Sequence, residues 1–368
     1  MAKPLIIGID VRDLKVAQTG TKTYLEELCK EFKKIEGTKY KFFFFDTFLP
    51  AHTGENKLLK LIGHLRYQIW KQVSLPLKAW INGCDILFCT DNVAPLLRLG
   101  YKTVPVFHDA FFFENPEHFN SVWLWLITNT AVPAAKRSPM VVTPSQYAKQ
   151  QIHRYTQIPL DKMVVIYEGP KSLKGFSKEQ ESPIKGKYIL HVGVMNKRKN
   201  IPALIYAFKK LRESGHSDHK LVLAGKTESK KYSTDYNEIH RAIKDSHLEN
   251  EVIFTGYLSD EELSCIYSGA SMYVFPSLNE GFGIPILEAF KYHLPVLVAD
   301  NTCLPEIGAD AVLTFDPLNI EDMAGKMKMV LDNPQLKASM IEKGTRRLKE
   351  FSWEKTAQSL LLEFERIR

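Results

Sequence analysis

The sequence predicts an α/β protein made of two doubly wound domains. Three observations lead there. The chain has 368 residues, more than one ordinary core needs, and this suits two domains of roughly 150–200 residues each. Its apolar runs are short and unbroken, as in parallel strands buried on both faces, and helical patterns separate them. One polar stretch rich in Gly, Ser, Pro and Lys, 168–187, interrupts the alternation, which then starts again.

The elements follow in order. LIIGIDV (5–11), KFFFF (41–45), DILFC (85–89), TVPVF (103–107), MVVT (140–143) and MVVIY (163–167) read as strands. Between the first two, GTKTYLEELCKEFKK carries Tyr24, Leu25, Leu28 and Phe32 at helical spacing. After the polar stretch come YILHVG (188–193), KLVLAG (220–225), VIFTG (252–256), MYVFP (272–276), PVLVA (295–299) and AVLTF (311–315). Asn200 is expected to cap the helix IPALIYAFKKL, with Pro202 tolerated in its first turn. Ser259 and Glu262 form a capping-box pattern, and Asn319 with Asp322 a similar one. FSWEKTAQSLLLEFERIR closes the chain as a helix capped by Ser352. The expected boundaries are 1–170 for the first domain, 171–186 for a linker and 187–351 for the second domain. Ligands of doubly wound sheets sit at the carboxyl ends of strands, so a cleft between the two domains is the expected site.

Composition narrows the function. The chain is 45% hydrophobic and 25% charged, with a net charge of +7. That mild basic bias favours anionic ligands, but nucleic acid would need a concentrated patch, and no nucleic-acid partner is expected. The five cysteines form no CxxC pair and no metal spacing, which fits buried thiols in a reducing compartment. MAKPLIIGID holds too short an apolar run for a leader, and no run of 18 or more apolar residues stands free of charge. A cytoplasmic location is expected.

Four stretches carry chemistry. In SLNEGFGIPILEAF, Glu280 precedes a helix start and Glu288 lies within it. Pro285 suits a first helical position, and Gly281 and Gly283 let a ligand approach the backbone. A helix N-terminus attracts anions, so a phosphate at Gly283–Ile284 with a carboxylate on either side is one reading. The other is a plain strand–turn–helix corner, with Glu288 serving the helix. In HVGVMNKRKNI, Lys197, Arg198 and Lys199 follow a strand end. They suit a pyrophosphate, or else form a solvated charge run. In VFHDAFFFENPEHF, His108 follows a strand, where it serves either as an acid/base or donor or as a structural histidine. In QTGTKTY, Gly20 can bring backbone N–H groups near a phosphate. No G-x-G-x-x-G, no G-x-x-x-x-G-K-[ST] and no D-x-D at a strand end occur, which argues against a nicotinamide enzyme and against an obligatory metal.

Together and in this order, these stretches resemble the retaining glycosyltransferases of family 4, which have the GT-B fold of two Rossmann-like domains. VFPSLNEGFGIPILEAFKYHLPVLVADNTCLPEIGADAVLTFDP is similar to the family's E-x7-E motif and its continuation. GYLSDEELSCIYSGA and KGTRRLKEFSWEKTA also match. GIDVRDLKVAQTGTKTYLEEL, HDAFFFENPEHF and VVTPSQYAKQQI resemble the branch of mannosyl- and rhamnosyltransferases that builds bacterial surface polysaccharides. The resemblance implies that Glu280 contacts the donor-sugar hydroxyls and Glu288 the ribose. Arg198 and Lys199 match the basic pair on the diphosphate. The family more often has Arg directly after the glycine, where this chain has Val194. Phe282, Gly283 and Ile284 match the backbone segment near donor sugar and phosphate, and Gly20 the loop under the phosphates. His108 matches a histidine near sugar and acceptor, and Gly256, Tyr257 and Leu258 fall where the base lies. The donor implied is a nucleotide-diphospho-sugar, GDP- or UDP-linked, with no further cofactor and no metal. The acceptor implied is a saccharide or lipid-linked saccharide. The last helix is implied to complete the first domain. A sugar-nucleotide epimerase of the same fold and a non-catalytic nucleotide-sugar-binding protein are the alternatives.

NKLLKLIGHLRYQIWKQVSLPLKAWI (56–81) holds five basic residues, Lys57, Lys60, Arg66, Lys71 and Lys78, and no acidic one. With Trp70 and Trp80 it reads either as an amphipathic face for an anionic membrane or as a core-packing helix with a basic outer side.

Overall fold

A computed structural model describes residues 3–17, 20–47, 57–118, 121–173, 182–226 and 236–368. Residues 174–181 of the polar stretch 168–187 therefore lie outside the described residues. The chain divides into two compact units, Met1–Glu168 with Trp353–Arg368, and Gly169–Ser352.

In the first unit β1 (Leu5–Asp10), β2 (Tyr40–Phe45), β3 (Ile86–Cys89) and β4 (Lys102–Pro105) form a parallel sheet in the order β2-β1-β3-β4. β5 (Val141–Thr143) and β6 (Met163–Val165) pair in parallel, and a bridge from Val106 to Val142 continues the first sheet into them. β3 is buried at every position, as an unbroken apolar run requires when both faces are covered. The helix Gly20–Ile35 buries Tyr24, Leu25, Leu28 and Phe32, the stripe its spacing marks. The last helix, Trp353–Ile367, packs against it. Trp353 meets Tyr24 edge-on with centroids 5.7 Å apart, and Phe364 meets Phe88 at 5.3 Å. The hydroxyl of Tyr40 donates to Glu365 at 2.6 Å.

In the second unit β7 (Lys187–Val192), β8 (His219–Ala224), β9 (Val252–Gly256), β10 (Met272–Phe275), β11 (Val296–Ala299) and β12 (Val312–Phe315) form one parallel sheet in the order β12-β11-β10-β7-β8-β9. The order reverses between β7 and β10. That reversal is the topological switch point, where ligands of such sheets bind. β8 ends where Gly225 takes φ +141°, and a Cβ there would stand 1.9 Å from the carbonyl oxygen of Gly193. Only glycine lets the ends of β7 and β8 come this close.

The capping box of Ser259 and Glu262 is present with both of its hydrogen bonds, and Asn319 accepts from the amide of Asp322. Asn200 departs from expectation. It stands at the N-cap position of Ile201–Glu213, but its side chain makes no cap bond. It adopts φ +54° and donates to the carbonyl of Pro317 at 2.8 Å instead. Asparagine tolerates the left-handed region, so the residue trades a cap for a tie to a distant loop.

The segment 56–81 also differs from a simple basic face. Two helices, Lys57–Ile69 and Leu75–Ile81, join through a π-helical turn, Trp70–Ser74. Lys71 is fully buried and pairs with both Asp10 and Asp91, at the carboxyl ends of β1 and β3. Trp70 donates to Asp10 at 3.2 Å and Tyr67 to Asp91 at 2.8 Å. Burial works against the charge of Lys71, but the two carboxylates outweigh it and hold the ammonium well above its ordinary value. Burial likewise raises Asp91 to about 7 against the pull of Lys71. Lys78 turns inward too, donating to the carbonyl of Asp46 at 3.0 Å. Among the described side chains of this segment, 62–81, those that face outward are apolar: Leu65, Ile69, Val73, Leu77, Trp80 and Ile81 are exposed, while Lys57 and Lys60 lie outside the described side chains.

Candidate active site

The site in the second unit is built on the loop after β10. Position by position, the loop is held from inside. Arg198 Nη1 donates to the carbonyl of Asn279 at 3.0 Å and to Glu280 Oε2 at 2.9 Å. The backbone carbonyl of Arg198 accepts from the amide of Leu278 at 2.7 Å. Lys199 Nζ donates to Glu280 Oε1 at 2.5 Å. The thiol of Cys303 lies 3.3 Å and 3.2 Å from the carbonyl oxygens of Glu280 and Phe282 and donates to them. Gly283 then takes φ +99°, and a Cβ would press Leu304 at 3.1 Å, so the turn into the helix Ile284–Lys291 needs glycine on two counts. No side chain caps that helix. Pro285 has no N–H and the amide of Ile286 donates to the carbonyl of Gly283 at 3.0 Å, so the N–H of Ile284 is the one at this helix start that faces outward from the turn.

The charges follow from burial. Glu280 is only 8% exposed. Burial alone would raise its pKa, but Arg198 and then Lys199 pull it down to about 2. Lys199 is buried as well, and burial lowers its pKa, with Glu280 opposing and Arg198 adding to the fall. One carboxylate thus sits between two cations, which leaves a surplus of positive charge at a strand carboxyl end. That surplus, together with an uncapped helix start, suits a phosphate. Lys197 begins the same 3-10 turn, Lys197–Lys199.

Glu288 lies apart from this cluster. It is buried on the helix Ile284–Lys291 and accepts from the hydroxyl of Tyr267 at 2.8 Å. Burial raises its pKa, and the Tyr267 bond opposes the rise. Gly256 closes β9 at φ +69°, and its carbonyl accepts from the amide of Gly225 at 3.0 Å. Tyr257 beside it is 75% exposed, with Lys226 Nζ 5.5 Å from the ring centroid, and Leu258 is half-buried. Gly281 is half-buried, and Phe282 is buried with its ring edge-on to Phe351.

The remaining two predicted residues belong to the first unit. His108 is mostly buried, and its ring nitrogens face protein groups. Nε2 stands 2.9 Å from the carbonyl of Thr90, to which it donates, and Nδ1 stands 3.7 Å from Glu168 Oε1. Burial disfavours the charged imidazole, but Glu168 outweighs it and raises the pKa. Gly20 opens the helix Gly20–Ile35, is exposed, and has open space where a Cβ would stand. Tyr267, Cys303 and the Asp10–Lys71–Asp91 cluster escaped the sequence. Their partners are distant in the chain, and no local pattern marks them.

Two family models match. "Glycosyltransferase Family 4" covers residues 19–170 and "Glycosyl transferases group 1" covers 175–347, so the two take in most of the chain. The chain belongs to the family 4 glycosyltransferases. Among curated relatives, this glycosyltransferase is 27% identical over 262 residues to the O-antigen chain mannosyltransferase B of Escherichia coli, covering 69% of this chain and 67% of that one. It is 28% identical over 271 residues to an O-antigen chain mannosyltransferase of Salmonella typhimurium, covering 73% and 70%. It is also 28% identical over 289 residues to a serotype-specific mannosyltransferase of Escherichia coli, but the match spans 74% of this chain and only 34% of that longer protein. Among solved structures, the sucrose-phosphate synthase of Thermosynechococcus elongatus superposes with a TM-score of 0.74 at 16% identity, over 100% of this chain and 99% of that one. Anabaena HepE in complex with UDP-glucose gives 0.72 at 18% identity, over 98% and 99%. At such identities the likeness is one of fold, and the fold is GT-B.

Proposed function

We propose that this glycosyltransferase moves a hexose, mannose before others, from a GDP- or UDP-linked donor to a saccharide or lipid-linked saccharide in cell-surface polysaccharide synthesis. The observation that carries the proposal is Glu280 held by Arg198 and Lys199 at the switch point. The names of the curated relatives support the sugar.

In this proposal the diphosphate takes up the surplus charge of Arg198 and Lys199, with Lys197 nearby and the N–H groups at Gly283 and Ile284 behind it. Glu280 then turns its lone pairs to the hydroxyls of the sugar. Gly281 and Phe282 pass beside the sugar, and Glu288 accepts from the ribose. Gly256, Tyr257 and Leu258 flank the base, Gly20 serves the phosphates, and His108 serves the sugar and acceptor. The reaction retains configuration and uses no metal. The acceptor oxygen forms its bond to the anomeric carbon on the face the diphosphate leaves. The bond from that carbon to the phosphate oxygen breaks, and the acceptor proton passes to the departing oxygen. Arg198 and Lys199 stabilise the charge that develops there, a contribution on the order of 3–4 kcal/mol for one well-placed donor. Glu280→Ala and Lys199→Ala test the assignment in transfer assays at saturating donor. Loss of turnover by about a hundredfold or more is expected, and near wild-type turnover in both variants overturns it.

The proposal includes a membrane contact. The exposed row Leu65, Ile69, Val73, Leu77, Trp80 and Ile81, in a segment without acidic residues, would rest on the anionic inner face of the cytoplasmic membrane. Flotation with anionic liposomes at low salt should carry the protein upward. Sedimentation away from the lipid ends this part of the proposal.

A further inference from the structure

The sheet of the second unit opens between β7 and β10. Their pairing runs from Met272 against Ile189 to Tyr273 against Leu190 and stops there. One residue further His191 takes over, with Nδ1 3.0 Å from the carbonyl oxygen of Val274. A carbonyl only accepts, so Nδ1 carries the proton and Nε2 bears a lone pair. The side chain is fully buried, and Nε2 has no partner among the described residues. A buried acceptor left unmatched is costly and calls for an explanation.

Gly193 shows where that lone pair stands. A Cβ built on Gly193 would lie 3.5 Å from His191 Nε2, 3.3 Å from Lys199 Cε and 3.6 Å from Lys199 Nζ. The imidazole and the ammonium therefore border the same side-chain-free space at the switch point. Lys199 has three N–H groups. One goes to Glu280 at 2.5 Å, and the ring of Phe275 lies 4.7 Å from the ammonium. An unmatched donor and an unmatched acceptor thus share one buried corner.

We propose that His191 is a positioning residue for Lys199, accepting one of its N–H groups at Nε2 once a donor diphosphate is bound. The inference rests on the donor assignment above. In the loaded state Lys199 divides its three N–H groups among His191, Glu280 and a phosphate oxygen, so its direction is set from behind. The arrangement needs a neutral imidazole. Burial, and then the charge of Lys199, lower the pKa of His191 to about 4, against the bond to Val274 and the charge of Glu280. The charged and titratable groups around Lys199 are Glu280, Arg198, His191 and Cys303.

Two substitutions separate the roles of the two ring nitrogens. His191→Asn keeps an amide donor where Nδ1 meets Val274 but has no atom at Nε2. His191→Gln puts an amide oxygen near Nε2. Binding of GDP and of UDP is measured by calorimetry from neutral to alkaline pH, with thermal melts alongside. H191N is expected to melt close to wild type and to bind about tenfold more weakly. Its affinity should fade at a pH lower by about one unit, because a lost acceptor disfavours the charged lysine. H191Q should recover most of both effects. Wild-type affinity with a wild-type pH dependence in H191N overturns the inference. Should H191N fail to fold, H191Q is compared with His191→Met, where equal affinities overturn it. If neither nucleotide binds the wild-type protein, the donor assignment falls first and this inference with it.

Discussion

Glu280→Gln keeps shape and removes one charge, so it isolates the electrostatics of the site. Wild-type Glu280 drops from an ordinary 4.5 to about 2 in the folded protein. A fall of about 2.5 in pKa corresponds to roughly 3 kcal/mol of preference for the folded state, at about 1.4 kcal/mol for each tenfold. Removing one partner of a buried ion pair independently costs about 3–5 kcal/mol, because the cations left behind have no counter-charge. Both routes give a loss on the order of 3 kcal/mol at neutral pH. For a unit of this size that is a melting shift of roughly 6–12 °C. The sign with pH is set by the depressed pKa. The stabilisation is fully present above 4.5 and is lost as pH falls towards 2. Calorimetric melts of both proteins across acid and neutral pH should therefore diverge above pH 4.5 and converge below it. A Glu280→Gln protein that melts within about 2 °C of wild type at neutral pH refutes the claim that Arg198 and Lys199 depend on this carboxylate.

Lys71→Met should destabilise the first unit by about 3–5 kcal/mol at neutral pH, since Asp10 and Asp91 would then face each other in a buried site. The loss should shrink in acid, where Asp91, already raised to about 7, takes up a proton, and urea titrations at two pH values check this. Gly225→Ala should destabilise the second unit by several kcal/mol, read as a lower urea midpoint, or prevent folding, because its Cβ would stand 1.9 Å from a backbone oxygen at φ +141°. An unchanged midpoint would mean that the close approach of β7 and β8 is not needed.

The strands were readable because both faces of each sheet are covered, which leaves unbroken apolar runs such as ILFC and VLVA. The loop after β10 was readable because two glycines, a proline and two glutamates at close spacing leave few ways to turn into a helix. Lys71 was not readable. It looks like one more cation on a basic face, and only the fold brings in Asp10, 61 residues away, and Asp91, 20 residues away. Asn200 carries a strong local signal for a cap, and a carbonyl 117 residues away overrides it. His191 hides inside an apolar strand run, where a lone histidine reads as filler until its neighbour across the sheet is known. In each case the local pattern is present, and a distant partner decides what it does.

The return of the last helix bears on how the chain is made. Residues of the second unit are contiguous, Gly169–Ser352, whereas the first unit needs Trp353–Arg368, which follow the second unit in the chain. On the ribosome the first unit emerges early but stays unfinished. Until residues 353–368 leave the exit tunnel, Tyr24 and Phe88 lack the rings of Trp353 and Phe364. The part made second can therefore complete its fold before the part made first, the reverse of the usual N-terminal-first order. A nascent chain that has not yet released residues 353–368 would display an apolar seam along the helix Gly20–Ile35.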